Sequence, residues 1–150
     1  MAIFKRILCP MDFDANSNAA LALAREIAVQ NRATIYLVHI VPLPPPGPEI
    51  GAWSGMLARD CKKRLEQVAE RRLGGKVPYQ VHVKAGRPDV DVLNFVSRLR
   101  ADVVVMATHG RRGLKRFLLG SVAERVVREA SCPVLTVRSG TSRARRRKSP

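Results

Sequence analysis

Aromatic residues are scarce, at 5% of the chain, and nowhere gather into the base-stacking platform that single-strand nucleic-acid binders use. Other absences narrow the chemistry further. No Gly-x-Gly-x-x-Gly follows the first strand pattern, which argues against a dinucleotide-dependent redox enzyme. The P-loop signature, with Lys ahead of Ser or Thr, is missing. No Asp or Glu lies between Val103 and Val122 to orient a water, so phosphoryl transfer lacks one of its usual parts. Cys9, Cys61 and Cys132 are an odd number with no Cys-x-x-Cys spacing, and they read as reduced small hydrophobes. No window approaches the ~18 apolar residues of a membrane span, and residues 1–10 hold no apolar run ending at a small-residue cleavage site. A cytoplasmic protein without a membrane partner is the expectation.

What is present is enough for one globular domain: 150 residues, 46% of them hydrophobic. The net charge of +15 is unevenly placed. Residues 138–150 hold six basic side chains and no acid, leaving 21 basic and 12 acidic residues in the other 137. An anionic partner therefore suits the folded part as well as the tail.

Along the chain, Ile3, Phe4, Ile7, Leu8 and Cys9 predict a first strand, stopped by Pro10 with Asp12 just beyond. After Asp14-Ala-Asn-Ser17, the spacing of Ala20, Leu23, Ala24, Ile27 and Ala28 predicts a helix to about Asn31. Residues 34–41 form a second, mostly apolar strand ended by Pro42. Residues 42–55 are proline-rich and are expected as an irregular surface loop, in which Trp53 either anchors the loop to the body or covers a ligand base. From about Met56 a second helix runs on Leu57, Cys61, Leu65, Val68 and Ala69 to Gly74-Gly75. Arg59, Lys62, Lys63, Arg64, Arg71 and Arg72 read as its solvated face. Tyr79, Val81 and Val83 alternate with Gln80, His82 and Lys84 as in a half-exposed edge strand. Pro88 and Asp89 open a third helix with Val92, Leu93, Val96 and Leu99 inward.

The stretch around which the rest is organised follows. Asp102 leads into Val-Val-Val-Met-Ala at 103–107, a short run apolar on both faces, as a doubly buried strand requires. Thr108, His109, Gly110 and Gly113 then let the backbone turn and approach a ligand closely, while Arg111, Arg112, Lys115 and Arg116 make the loop positive. Ser121 is predicted as the N-cap of a fourth helix carried by Val122, Ala123, Val126, Val127 and Ala130. N–H groups, a hydroxyl and a helix N-terminus converge there, a setting suited to phosphate. Residues 133–137 give a fifth strand. Alternating strands and helices without repeats predict an α/β fold, a three-layer, doubly wound parallel sheet of five strands in the order 3-2-1-4-5 with four helices. Ligands in such sheets bind beyond the carboxyl ends of the strands where the winding reverses, which brings Asp12 and the glycine loop to one crevice.

These segments resemble the universal stress protein family in its small, single-domain, nucleotide-binding form. The family motif is a glycine, two residues, a glycine, nine residues, then glycine and Ser or Thr. Gly110 and Gly120-Ser121 match, and Ala107 stands at the first glycine, a departure of one methyl group that keeps close approach at negative φ. Ile7-Leu-Cys-Pro-Met-Asp12, Val38-His-Ile-Val41 and Ser131-Cys-Pro-Val-Leu-Thr-Val137 are also similar to the family, so the resemblance spans about residues 3–138. It implies a site for ATP or another adenine nucleotide. Asp12 would meet the ribose or, through a magnesium ion, the phosphates. Ile40 would meet adenine through its backbone, with Met106 and Ala107 lining the pocket. Gly110, Gly120, Ser121 and Val122 would hold phosphates by N–H groups, and the Ser121 hydroxyl would add a bond. Thr108, His109, Arg111 and Gly113 belong to the same loop. His109 either shapes that loop or is structural, and the cations either pair with phosphate or face solvent. The resemblance further implies a non-catalytic, stress-response regulator, a homodimer joined through the fifth strand (Val134–Val137), and a protein partner that the sequence does not name.

Two alternatives stand beside this reading. One is slow ATP hydrolysis. The other is anion or nucleic-acid binding by the tail at 139–150, where Arg143-Ala-Arg-Arg-Arg-Lys148 could neutralise phosphates without reading sequence, unless the tail is simply a disordered, solvated extension.

Overall fold

β1 (Arg6–Pro10) and β4 (Val103–Ala107) lie side by side at the centre of a five-stranded parallel sheet, with Ile7, Leu8, Cys9, Val103, Val104 and Val105 fully buried. The structure is a computed structural model describing residues 2–47, 50–108 and 119–138. Around this pair come α1 (Ala15–Asn31), β2 (Thr34–Pro42), α2 (Ile50–Leu73), β3 (Tyr79–Gly86), α3 (Pro88–Arg98), α4 (Ser121–Glu129) and β5 (Val134–Val137). The sheet order is β3-β2-β1-β4-β5, as the alternation of elements predicts.

Period-two alternation along the strands divides the interior into two layers. Ile7, Cys9, Ile35, Leu37, Val103 and Val105 face α1 and α2, where Ala20, Leu21, Ala24, Leu65, Ala69 and Leu73 cover them. Leu8, Val38, Ile40, Val104 and Met106 face α3 and α4, packing on Val92, Phe95, Val96, Ala123 and Val126. Helices connecting β1 to β3 occupy one face and those leading to β4 and β5 the other. The winding therefore reverses between β1 and β4.

The termini of the elements show which sequence signals decide. β1 begins at Arg6, later than the apolar run suggests, and Ile3 is exposed. The N–H groups of Ile3 and Phe4 turn to the side-chain oxygen of Asn31, at 3.1 and 3.4 Å, whereas those of Lys5 and Arg6 donate to the Asp102 carboxylate at 2.8 Å each. Asp14 caps α1 by accepting from the Ser17 N–H at 2.7 Å. α2 starts at Ile50, so 51–55, including Trp53, is helical and not part of an irregular loop. All five prolines of the segment precede the helix, where they are harmless, and elongation from the amphipathic body is cooperative. Trp53 is 48% exposed and does not anchor the chain to the core. The N-cap of α4 is Gly120 rather than Ser121, which is the first helical residue, and no side chain caps this helix.

β3 is the half-exposed edge strand that its alternation predicts. Its end is fixed to α3 by Asp91, which is 7% exposed, accepts from Lys84 Nζ at 2.6 Å and from the Arg87 N–H at 2.7 Å, and sits where a side chain at Gly86 would collide with it. The Lys84 ammonium, opposed by partial burial, keeps the Asp91 carboxyl below the usual carboxylate range. Burial raises the Cys9 thiol to about 12, and none of the three cysteines is in a disulfide. No helix among the described residues is long and apolar enough to cross a membrane.

Candidate functional site

Pro10 has no N–H to extend the ladder, and β1 stops there while β2 runs on to Pro42. The gap left beyond β1, between the ends of β2 and β4, opens into a cleft of about 810 Å³. Its floor follows from the strand pattern. Thr34 N–H and Val38 C=O bond towards β1, and Ile35 and Leu43 N–H bond towards β3. By this alternation the N–H and C=O of Ile40 point to the β1 side, beyond the last β1 pairing at Pro10↔Val38. A main-chain donor and acceptor thus face the cleft. Met106, Val92 and the Ile40 side chain supply apolar surface beside them.

Asp12 enters from the end of β1. Its main-chain N–H donates to Ser17 Oγ at 3.4 Å, and its carboxylate accepts the Asp14 N–H at 3.3 Å. Burial, together with the neighbouring Asp14 carboxylate, raises the Asp12 carboxyl from 3.8 to about 6. A carboxylate so desolvated is suited to a hydroxyl or cation partner.

The opposite wall is the start of α4. Glu124 N–H makes the first helical bond, to Gly120 C=O at 2.9 Å, so the preceding N–H groups of Ser121, Val122 and Ala123 lie at the unsatisfied, electropositive end of the helix. Gly120 N–H donates to Thr108 C=O at 2.7 Å, and Thr108 N–H donates to Val137 C=O at 3.0 Å. The chain therefore leaves β4 and re-enters α4 through adjacent residues, both lining the cleft.

Of the residues expected at a site, Asp12, Ile40, Met106, Ala107, Thr108, Gly120, Ser121 and Val122 all line this one cleft. His109, Gly110, Arg111 and Gly113 lie outside the described residues, as do Arg112, Lys115 and Arg116. The third wall was not expected. Phe13, at a left-handed φ of 66°, places its ring 4.6 Å from the His39 ring and 4.4 Å from the Arg64 guanidinium. His39 Nδ1 lies 2.6 Å from Met11 C=O, which can only accept, so this nitrogen carries the proton. Leu57, Cys61 and Arg64 reach the cleft from α2. The signal was available: Cys61 lies on the apolar stripe, and Arg64, three residues on, shares its face.

Comparison with known proteins agrees with this architecture. Residues 3–138 match the model of the universal stress protein family. The chain is 34% identical over 141 residues to universal stress protein MJ0531 of Methanocaldococcus jannaschii, covering 91% of this chain and 83% of that one. It is 32% identical over 142 residues to universal stress protein A homolog 2 of Coxiella burnetii, covering 90% and 95%. Among solved structures, MJ0577 of M. jannaschii superposes with a TM-score of 0.81 at 23% identity over 93% of this chain and 99% of that one. A universal stress protein solved in complex with cAMP superposes with a TM-score of 0.61 at 20% identity over 91% and 98%. At these identities the superpositions establish the fold, and the sequence matches establish the kinship. The chain belongs to the universal stress protein family.

Proposed function

We propose that this protein is a nucleotide-binding regulator that takes ATP, or another adenine nucleotide, into the cleft beyond β1 and acts as a homodimer in the cytoplasm. The observation that carries the reading is the meeting, in one cleft, of the Ile40 main-chain pair, the Asp12 carboxylate and the N-terminus of α4. An adenine edge needs one donor and one acceptor beside apolar surface, a ribose needs an acceptor for its hydroxyls, and phosphates need N–H groups at a positive helix end. The three occur in that order across the cleft. The family member in complex with cAMP is a precedent for an adenine nucleotide on this fold.

Asp12 supplies one carboxylate, which suits magnesium held mainly by phosphate oxygens and water. The ion would screen phosphate charge. Asp12 itself orients the ribose side, and its carboxyl, raised to about 6, stays mostly ionised at neutral pH. In this reading residues 1–138 form the nucleotide-binding domain and 139–150 a basic extension outside it. β5 is an edge strand with Leu135 exposed, which supports pairing with a second copy.

Thermal unfolding with and without ATP and magnesium tests the reading. A nucleotide at about 100 times its Kd stabilises by about 2.7 kcal/mol, and a Gly110→Val, Gly120→Val variant should lose that gain. A parent melting temperature unmoved by millimolar ATP and magnesium would overturn the proposal.

A further inference from the structure

The wall formed by Phe13, His39 and Arg64 is not used by the nucleotide contacts above. Arg64 is the one Arg or Lys among the described residues that line the cleft. Its guanidinium lies over the Phe13 ring at 4.4 Å and pairs with no carboxylate among the described residues, where the ion pairs involve Arg6, Lys84, Arg87, Arg125 and Arg128. Phe13 is itself held between that cation and the His39 ring, whose Nδ1–H is fixed on Met11 C=O. A guanidinium held over an aromatic face can keep edge donors available and loses less freedom on binding an anion than an unsupported side chain. This cation stands over Phe13, next in sequence to Asp12, and comes from α2, which covers the opposite face of the sheet from α4.

We propose that Arg64 forms a second anion subsite on the ribose side of the cleft, giving preference for adenine nucleotides that carry a phosphate on the 2′ or 3′ hydroxyl in addition to the 5′ phosphate. The inference rests on the adenine-nucleotide reading. Arg64 acts as a planar fork that a phosphate can meet through two oxygens, and Phe13 is the platform that orients it.

Calorimetric titration with AMP, adenosine 2′,5′-bisphosphate and adenosine 3′,5′-bisphosphate tests it, on the parent, Arg64→Gln and Arg64→Lys. The parent should bind one of the bisphosphates more tightly than AMP by on the order of tenfold, the scale of a charge-assisted contact. Arg64→Gln should bring that ratio close to one, and Arg64→Lys, which keeps the charge without the fork, should leave an intermediate ratio. Because Arg64 is exposed, circular dichroism should show all three proteins equally folded. A parent that binds AMP and both bisphosphates equally, or a ratio unchanged in Arg64→Gln, overturns the subsite and leaves the nucleotide reading standing. A parent that binds ATP and none of the three probes also overturns the subsite alone. A parent that binds no adenine nucleotide overturns both.

Discussion

Gly120 N–H donates to Thr108 C=O across 2.7 Å, closing the base of the segment that links β4 to α4 at the lip of the cleft. The φ of Gly120 is −59°, a value proline shares, so Gly120→Pro deletes the donor with little steric conflict at that residue. The expected cost is about 1 kcal/mol of stability, typical of one lost hydrogen bond. The larger effect should be on ATP-induced stabilisation, because the bond ties the end of β4 to the start of α4 at the cleft proposed to hold the nucleotide. Denaturant unfolding with and without ATP measures both. Unchanged ATP stabilisation would show that this bond does not shape the site.

Asp12 makes stability depend on pH in a defined direction. Its folded-state pKa is raised above that of the unfolded chain, so its contribution is fully present below about 4 and is lost as pH rises through about 6. Asp12→Asn cannot ionise. The variant's melting temperature relative to the parent should therefore rise between pH 4 and pH 6 and stay level above. The gain should be about 1 kcal/mol after allowing for solvent screening of a half-exposed carboxyl. A pH-independent difference between the two proteins would contradict the assignment.

The helical course of 51–55 has its own test. Gly55 lies inside α2 with open space where a side chain would go. Gly55→Ala should stabilise the protein by about 0.5–1 kcal/mol, because alanine loses less backbone freedom in a helix. No gain would indicate that the helix begins after Gly55.

The fifth strand offers a direct probe of assembly. β5 pairs with β4 on one side only, and Leu135 is 39% exposed. Leu135→Lys should convert a dimer to a monomer by light scattering while leaving the circular dichroism spectrum unchanged, since a charge on an edge strand opposes pairing. A parent that is monomeric at all concentrations would contradict dimerisation through β5.

The sheet was legible in the sequence because its signals are strong and redundant. The all-apolar run at 103–107 and the mostly apolar run at 34–41 read as strands covered on both faces, and Pro10 and Pro42 mark where two of the strands stop. The lining of the cleft was legible where it depends on chain ends: Asp12 after β1, Ile40 near the end of β2, and Gly120 and Ser121 entering α4. Three features escaped. The start of α2 was hidden by Gly51 and Gly55, whose low helix propensity is overridden by cooperative growth from the helix body. Gly120, with no side chain to advertise a cap, took the N-cap place that a hydroxyl seemed to claim for Ser121. Arg64 was submerged in a run of charges: its i+3 spacing from Cys61 was the one sequence signal, and Phe13, brought over from the end of β1 by tertiary packing, is what distinguishes it from its solvated neighbours.

The central claim, that the cleft beyond β1 holds an adenine nucleotide, is tested most directly by heat-denaturing freshly purified protein and identifying what is released by chromatography and mass. Near-stoichiometric ATP, or a related adenine nucleotide, from the parent and none from the Gly110→Val, Gly120→Val variant is the predicted result. A parent that releases no nucleotide, and that fails to take up ATP when it is added with magnesium, would contradict the account.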